Sequence, residues 1–238
     1  QDVTVDNVLK LIFEPLFTLD NKLKPTPNLA SSIEYLDNGR SAIIHLNQGI
    51  SWSDGTSLSA GDVIFSLNVI KSASGSAIYK EIVSNISGYS AIDNSTVKIN
   101  FYNSNGALGY ELCFPIIPEH YYKNGLSLNS TQNMKPIGNG PFEFQNYVTV
   151  KEMNLTTNSS YFKNQPSIKD INVIISSDDE TDFYSFDQGI TGALEESLTD
   201  WGKFGGSRKV SYNSVLTNYF DFIGFNFRNY ILQDVRVR

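Results

Sequence analysis

At 238 residues the chain is long enough to bury a sizeable core and to hold one large or two small domains. Its formal charge of −7, from 18 basic and 25 acidic residues with the Lys and Arg scattered, offers no basic patch for phosphate contacts, which excludes nucleic acid as an expected partner and disfavours anionic membrane surfaces. A hydrophobic content of 40% fits a folded globular protein, no apolar run approaches the roughly 20 residues that span a bilayer, and one cysteine, Cys113, excludes an internal disulfide or a thiolate metal cage.

From Val5 to Phe17, apolar residues at Val5, Val8, Leu9, Ile12 and Phe13 fall near helical spacing, and Pro15 should end that helix. Pro25 and Pro27 then force an extended passage into Asn28-Leu29-Ala30. Residues 31–49 predict a hairpin, with Asp37-Asn38-Gly39 as the turn and Ser41 to Leu46 as an apolar strand. His45 lies inside that strand without a nearby carboxylate, so packing is the simpler account of it than ligand binding or proton transfer.

The stretch Trp52-Ser53-Asp54-Gly55-Thr56 is a turn signal, because Gly tolerates positive φ and the Asp carboxylate can accept backbone N–H bonds. Ser59 precedes Asp62 by the capping-box spacing, and Val63, Leu67 and Ile70, with Phe65 and Val69 alongside, give the following helix a broad apolar face. The Ser/Gly/Ala composition of residues 72–76 predicts a loop, Thr96 to Phe101 alternates as a strand, and residues 106–114 predict a short helix carrying Leu108, Leu112 and Phe114. A Cys113/His120 nucleophile pair lacks an Asn or Asp to orient it, and its spacing alone says nothing about catalysis.

In Pro136-Ile137-Gly138-Asn139-Gly140-Pro141-Phe142, two glycines around Asn139 permit backbone geometry that other residues resist, and a hairpin over 142–158 follows. A phosphate loop does not fit, since no Lys-Ser/Thr follows and a strand comes next. Residues 168–175 predict a strand with apolar positions at Ile171, Val173 and Ile175. The acidic run 176–182 lacks the glycine of a calcium loop and suits capping of a helix over 183–188. Trp201 and Phe204 sit in a glycine-rich loop, after which 209–216 and 220–227 predict strands; five Asn-x-Ser/Thr sequons fit chance in so Asn- and Ser-rich a chain.

Taken in order, these motifs resemble the peptide/nickel-binding family of solute-binding proteins that serve ATP-driven importers. The resemblance rests on Phe13-Glu14-Pro15-Leu16-Phe17, Asp20 and Pro27-Asn28-Leu29-Ala30, on Trp52-Ser53-Asp54-Gly55 with Leu58-Ser59-Ala60-Gly61-Asp62-Val63-Ile64-Phe65-Ser66, and on Ile116-Ile117-Pro118-Glu119-His120. It continues through Pro136 to Phe142, Asn158-Ser159-Ser160-Tyr161, Gly224-Phe225-Asn226 and Asp234-Val235-Arg236-Val237-Arg238. Departures are Asn139, where the family carries Thr, and Gly189-Ile190-Thr191, where a family Asp is lost.

The resemblance implies an α/β, periplasmic-binding-protein-like type II (cluster C) fold. Residues 1–30 and 136–238 would form the first-lobe core, a mixed β-sheet flanked by helices, with 31–135 as an inserted α/β subdomain; a second lobe would lie beyond this chain. It implies a non-enzymatic protein without cofactor or metal, acting as a monomer outside the cytoplasm, in the periplasm or at the cell surface, with a lipid anchor ahead of Gln1 left open. From the sequence alone, a chain that opens on Gln1 without a leader is equally that of a cytosolic protein or of one whose targeting segment is missing. The expected partners are an oligopeptide or dipeptide ligand, held between lobes, and the importer's permease subunits. The implied ligand-facing residues are Glu14, Leu16, Phe17, Asp20, Tyr79, Phe114, Tyr219 and Asn226, with packing or surface placement the alternative for each. The same fold binding a nickel chelate or an oligosaccharide stays open, as does a surface adhesin, a signalling protein or a hydrolase on a similar scaffold.

Overall fold

The computed structural model describes residues 3–73, 79–104, 106–123, 130–176 and 178–194, with residues 210, 211 and 228. Helix α1 (Val3–Ile12) stops before Pro15, as the sequence predicts, with Phe13 N–H still bonded to the Leu9 carbonyl. Strands β1 (Phe17–Leu19) and β2 (Pro25–Pro27) pair antiparallel. Prolines are tolerated in β2 because their missing N–H groups fall on an edge. The Asp20 carboxylate closes the intervening turn by accepting from the Lys22 and Lys24 amides.

The largest sheet runs β3-β4-β6-β5, from β3 (Ala30–Leu36), β4 (Ser41–Leu46), β5 (Ile86–Asp93) and β6 (Thr96–Phe101). The β3–β4 turn falls at Asp37-Asn38-Gly39, all three with positive φ, a region that Asn, Asp and Gly enter at low cost. His45 is exposed on β4. Strand β5 carries no clear period-two signal, and the structure shows why: it is an outer strand broken by two register shifts, exposed over most of its length.

Helix α2 (Ala60–Ser72) packs against β5 and β6. Its start is fixed by the Asp62 carboxylate, which accepts from the Ser59 amide at 2.8 Å and, across the fold, from the Glu119 amide at 2.8 Å. The buried stripe is narrower than the apolar pattern suggests: Ala60, Val63, Ser66 and Leu67 are buried while Phe65 and Ile70 are half-exposed. Ser66 is satisfied there, donating to the Asp62 carbonyl and accepting from the Ile117 amide. The helix expected over 106–114 shrinks to one turn, α3 (Leu108–Glu111), because the residues beyond it run beside the 14–17 segment; α4 (Glu119–Tyr122) follows.

The third sheet, β7-β8-β9, comprises β7 (Phe142–Val148), β8 (Glu152–Thr157) and β9 (Asp170–Ile174). Helix α5 (Asp179–Asp187) begins ahead of the predicted start at 183, because Asp178 caps it by accepting from the Thr181 amide. All pairings among the described residues are antiparallel, so the parallel strands of a mixed sheet are not among them. The loop with Trp201 and Phe204 and the strands predicted at 209–216 and 220–227 lie outside the described residues.

One apolar cluster joins these parts, running from Ile12, Phe13 and Leu16 through Ile44, Trp52 and Leu67 to Phe114, Phe142 and Leu155. Gly138 and Gly140 sit against the end of α1, where the Gly140 amide donates to the Ile12 carbonyl at 2.8 Å. Neither has a positive φ; what excludes a side chain is proximity, since a Cβ on Gly138 would lie 2.0 Å from the Ile12 carbonyl oxygen.

Candidate functional site

The chain leaves α1 through Glu14-Pro15-Leu16-Phe17, and this segment is held from two sides. Asn28 and Ala30 amides donate to the Leu16 carbonyl and the Leu29 amide to that of Pro15, while the Ile116 amide donates to Glu14 and the Phe17 amide to Leu112. The Glu14 amide itself donates to Asn139 Oδ1 at 2.9 Å. The main chain here is therefore committed to partners within the chain itself, which makes it a fixed ledge.

The Glu14 side chain is 10% exposed and fully engaged. Tyr161 donates its hydroxyl to Oε1 at 2.6 Å and Asn28 its amide to Oε2 at 2.6 Å, with Lys163 Nζ 3.6 Å from Oε1. Such short bonds to a charged acceptor are the strong kind. Tyr161 is aimed by the turn that Asn158 makes: Nδ2 donates to the Gly140 carbonyl, Oδ1 accepts from Ser160, and the Tyr161 amide returns to the Asn158 carbonyl. Burial first, and the neighbouring Glu14 second, push the Tyr161 phenol far above its ordinary value, so it stays a donor. Two buried atoms of the same group, Asn28 Oδ1 and Asn139 Nδ2, have no hydrogen-bond partner among the described residues.

A second polar group adjoins α1. The Asp6 carboxylate lies 2.8 Å from Lys10 Nζ and accepts from the Tyr79 hydroxyl at 2.7 Å; the Tyr79 ring lies 6.4 Å from that of Phe114. Burial works to raise the Asp6 carboxyl, but its bonds to Lys10 and Tyr79 outweigh it and leave it below its ordinary value.

The structure thus brings Glu14, Leu16, Phe17, Tyr79 and Phe114 together. Leu16 and Phe114 are covered completely and Phe17 nearly so, so all three support the ledge from beneath and offer a ligand almost no surface in this conformation. Asp20 lies apart, exposed and occupied with its own turn, whose backbone N–H groups hold its carboxyl below the ordinary value. Tyr219 and Asn226 lie outside the described residues. The partners that sequence reasoning missed are Asn28, Asn139, Tyr161 and Lys163. The Asn158-to-Tyr161 string carried part of the family resemblance, but nothing local joins it to Glu14.

His120, taken above as lacking an acid, has one. Its Nε2 lies 2.8 Å from Asp54 Oδ2, beside a cleft of about 410 Å³ lined by Tyr121, Lys135, Ile137, Glu143 and Phe144. Cys113 does not join it, since its thiol donates to the Gly109 carbonyl and burial pushes it up to about 11. Among the described residues no group of His, Cys, Asp and Glu could hold a metal ion.

The family description "Bacterial extracellular solute-binding proteins, family 5 Middle" matches residues 24–238. The chain is 26% identical over 249 residues to the oligopeptide-binding protein AppA of Bacillus subtilis, covering 100% of this chain and 45% of that protein. Among solved structures it is similar to NikZ from Campylobacter jejuni in complex with Ni(L-His), at a TM-score of 0.77 and 22% identity, over 84% of this chain and 41% of that one. It is also similar to Bacillus subtilis AppA in complex with a nonapeptide, at a TM-score of 0.71 and 23% identity, over 80% and 39%.

The fold is therefore that of the type II periplasmic binding proteins. The chain belongs to family 5 of the bacterial extracellular solute-binding proteins, and spans less than half the length of these relatives.

Proposed function

We propose that this chain is the first lobe of a two-lobed extracytoplasmic receptor that captures oligopeptides or dipeptides and delivers them to the permease of an ATP-driven importer. The carrying observation is the ledge 14–17, whose main chain and Glu14 side chain are immobilised by residues from distant parts of the chain. A rigid wall of this kind lowers the ordering cost of closing a second lobe over a ligand. Similarity to an oligopeptide-binding protein along the whole chain supports the choice of ligand. Glu14 and Tyr79 edge the ligand side, Leu16, Phe17 and Phe114 lie beneath and shape it, Asp20 stands apart in its own turn at the margin, and Tyr219 and Asn226 join them on the resemblance alone. The division into 1–30 with 136–238 and an inserted 31–135, the monomeric state, the absence of catalysis and a lipid anchor ahead of Gln1 belong to the same reading.

A nickel chelate is the second reading, favoured by the likeness to NikZ, whose structure holds Ni(L-His). Thermal-shift measurements on the full protein against di- and oligopeptide pools, Ni(L-His) and oligosaccharides separate the readings, because a ligand of the folded state raises the melting temperature by mass action. A shift with peptides alone supports the proposal. A shift with the chelate or sugars alone replaces the ligand, and no shift with any pool rejects the receptor reading.

A further inference from the structure

Glu14 is poorly placed to hold a ligand's ammonium group, because its side chain is only 10% exposed and each oxygen already accepts a bond at 2.6 Å, from Tyr161 and from Asn28. Lys163 is the partner it does not need. At 3.6 Å the Lys163–Glu14 contact exceeds hydrogen-bond length and acts through charge alone. The Lys163 side chain is 43% exposed, and its ammonium lies 5.2 Å from the Phe162 ring centroid and has no hydrogen-bond acceptor among the described residues. Lys10, on α1, is committed to Asp6 at 2.8 Å.

We propose that Lys163 reads negative charge on the captured ligand, its ammonium turning from Glu14 onto a ligand carboxylate. This rests on the receptor reading above and adds to it the ligand group that this lobe recognises. Through the exchange Glu14 keeps its bonds to Tyr161 and Asn28, so both of its oxygens stay hydrogen-bonded. Phe162 and Glu14 hold the ammonium near its working position, while its donors stay free for the ligand.

The test compares the full protein with its Lys163→Gln and Lys163→Arg variants by calorimetric titration. Three tetrapeptide libraries serve as probes: uncharged side chains with a free C-terminal carboxylate, the same with a C-terminal amide, and Glu-containing C-terminal amides. The expected result is that K163Q weakens a carboxylate-bearing library by roughly 5- to 10-fold, leaves the uncharged amides within about twofold, and that K163R restores most of the loss. Which library responds identifies the carboxylate as terminal or side-chain. Equal weakening of all three libraries assigns Lys163 a structural role and overturns the inference, as does no change in any. If the unaltered protein binds none of the libraries, the peptide reading itself fails and the inference falls with it.

Discussion

Among the described glycines the closest approach is that of Gly138 and Gly140 to the end of α1, and a graded alanine series tests it. In Gly138→Ala the new Cβ would lie 2.0 Å from the Ile12 carbonyl oxygen and 2.5 Å from Ile12 Cγ2. Ordinary contact begins near 3.4 Å, so the segment must retreat from the helix end. Retreat puts at risk the Gly140-to-Ile12 bond and the Ser53-to-Gly138 bond, both 2.8 Å. Overpacking costs about 1–3 kcal/mol, and each lost hydrogen bond adds about 1 kcal/mol, for a total of about 3–5 kcal/mol. At about 2–4 °C per kcal/mol for a chain of this size, the melting temperature falls by roughly 6–20 °C. Gly88 is the control, since a Cβ there meets only Asn100 Nδ2, at 3.8 Å, and Gly88→Ala stays within about 0.5 kcal/mol of the parent. Circular-dichroism melts and urea titrations measure both. A G138A protein melting within about 2 °C of the parent, or a G88A protein losing as much as G138A, refutes the packing described here.

Tyr161→Phe removes a 2.6 Å hydrogen bond to a buried carboxylate and should cost about 1.5–3 kcal/mol by urea titration; a neutral result would mean the Glu14 cluster is not closed by Tyr161. Val150, a β-branched residue at φ 57 in the exposed β7–β8 turn, sits where Asn is better tolerated, so Val150→Asn should gain about 0.5–1 kcal/mol and raise the melting temperature. Burial works to raise the Asp54 carboxyl, but the Thr56 amide and His120 outweigh it, and its folded-state pKa lies below 3.8. That sign makes its contribution present above about pH 4 and lost as pH falls through the folded value. Asp54→Asn should therefore be less stable than the parent at pH 6, by under about 1 kcal/mol for so exposed a pair, with the gap closing in acid; a gap that widens in acid contradicts the assignment.

Much of the fold was legible because its signals are local. Pro15 stops α1, Asp37-Asn38-Gly39 turns the hairpin, and Ser59 with Asp62 starts α2, each within a few residues of its effect. Strand β5 was missed because an outer, bulged strand need not alternate. The glycines around Asn139 were assigned to backbone freedom, whereas their purpose is room for α1, a neighbour more than a hundred positions away. The same distance hid the site: Glu14 stands out as a motif residue, but its pairing with Tyr161 and Lys163 is a property of tertiary packing.

The Glu14 junction also sets an order of events during synthesis. Its amide bonds a residue 125 positions later and its carboxylate one 147 positions later, so the first helix cannot be locked until the β7–β8 hairpin and the turn after it exist. At about 5–20 residues per second, roughly 7–30 s pass between translation of Glu14 and of Tyr161. Closure of such non-local contacts is slow even once the chain is complete. The nascent N-terminal segment therefore stays open to other interactions until well over half of this chain has been made.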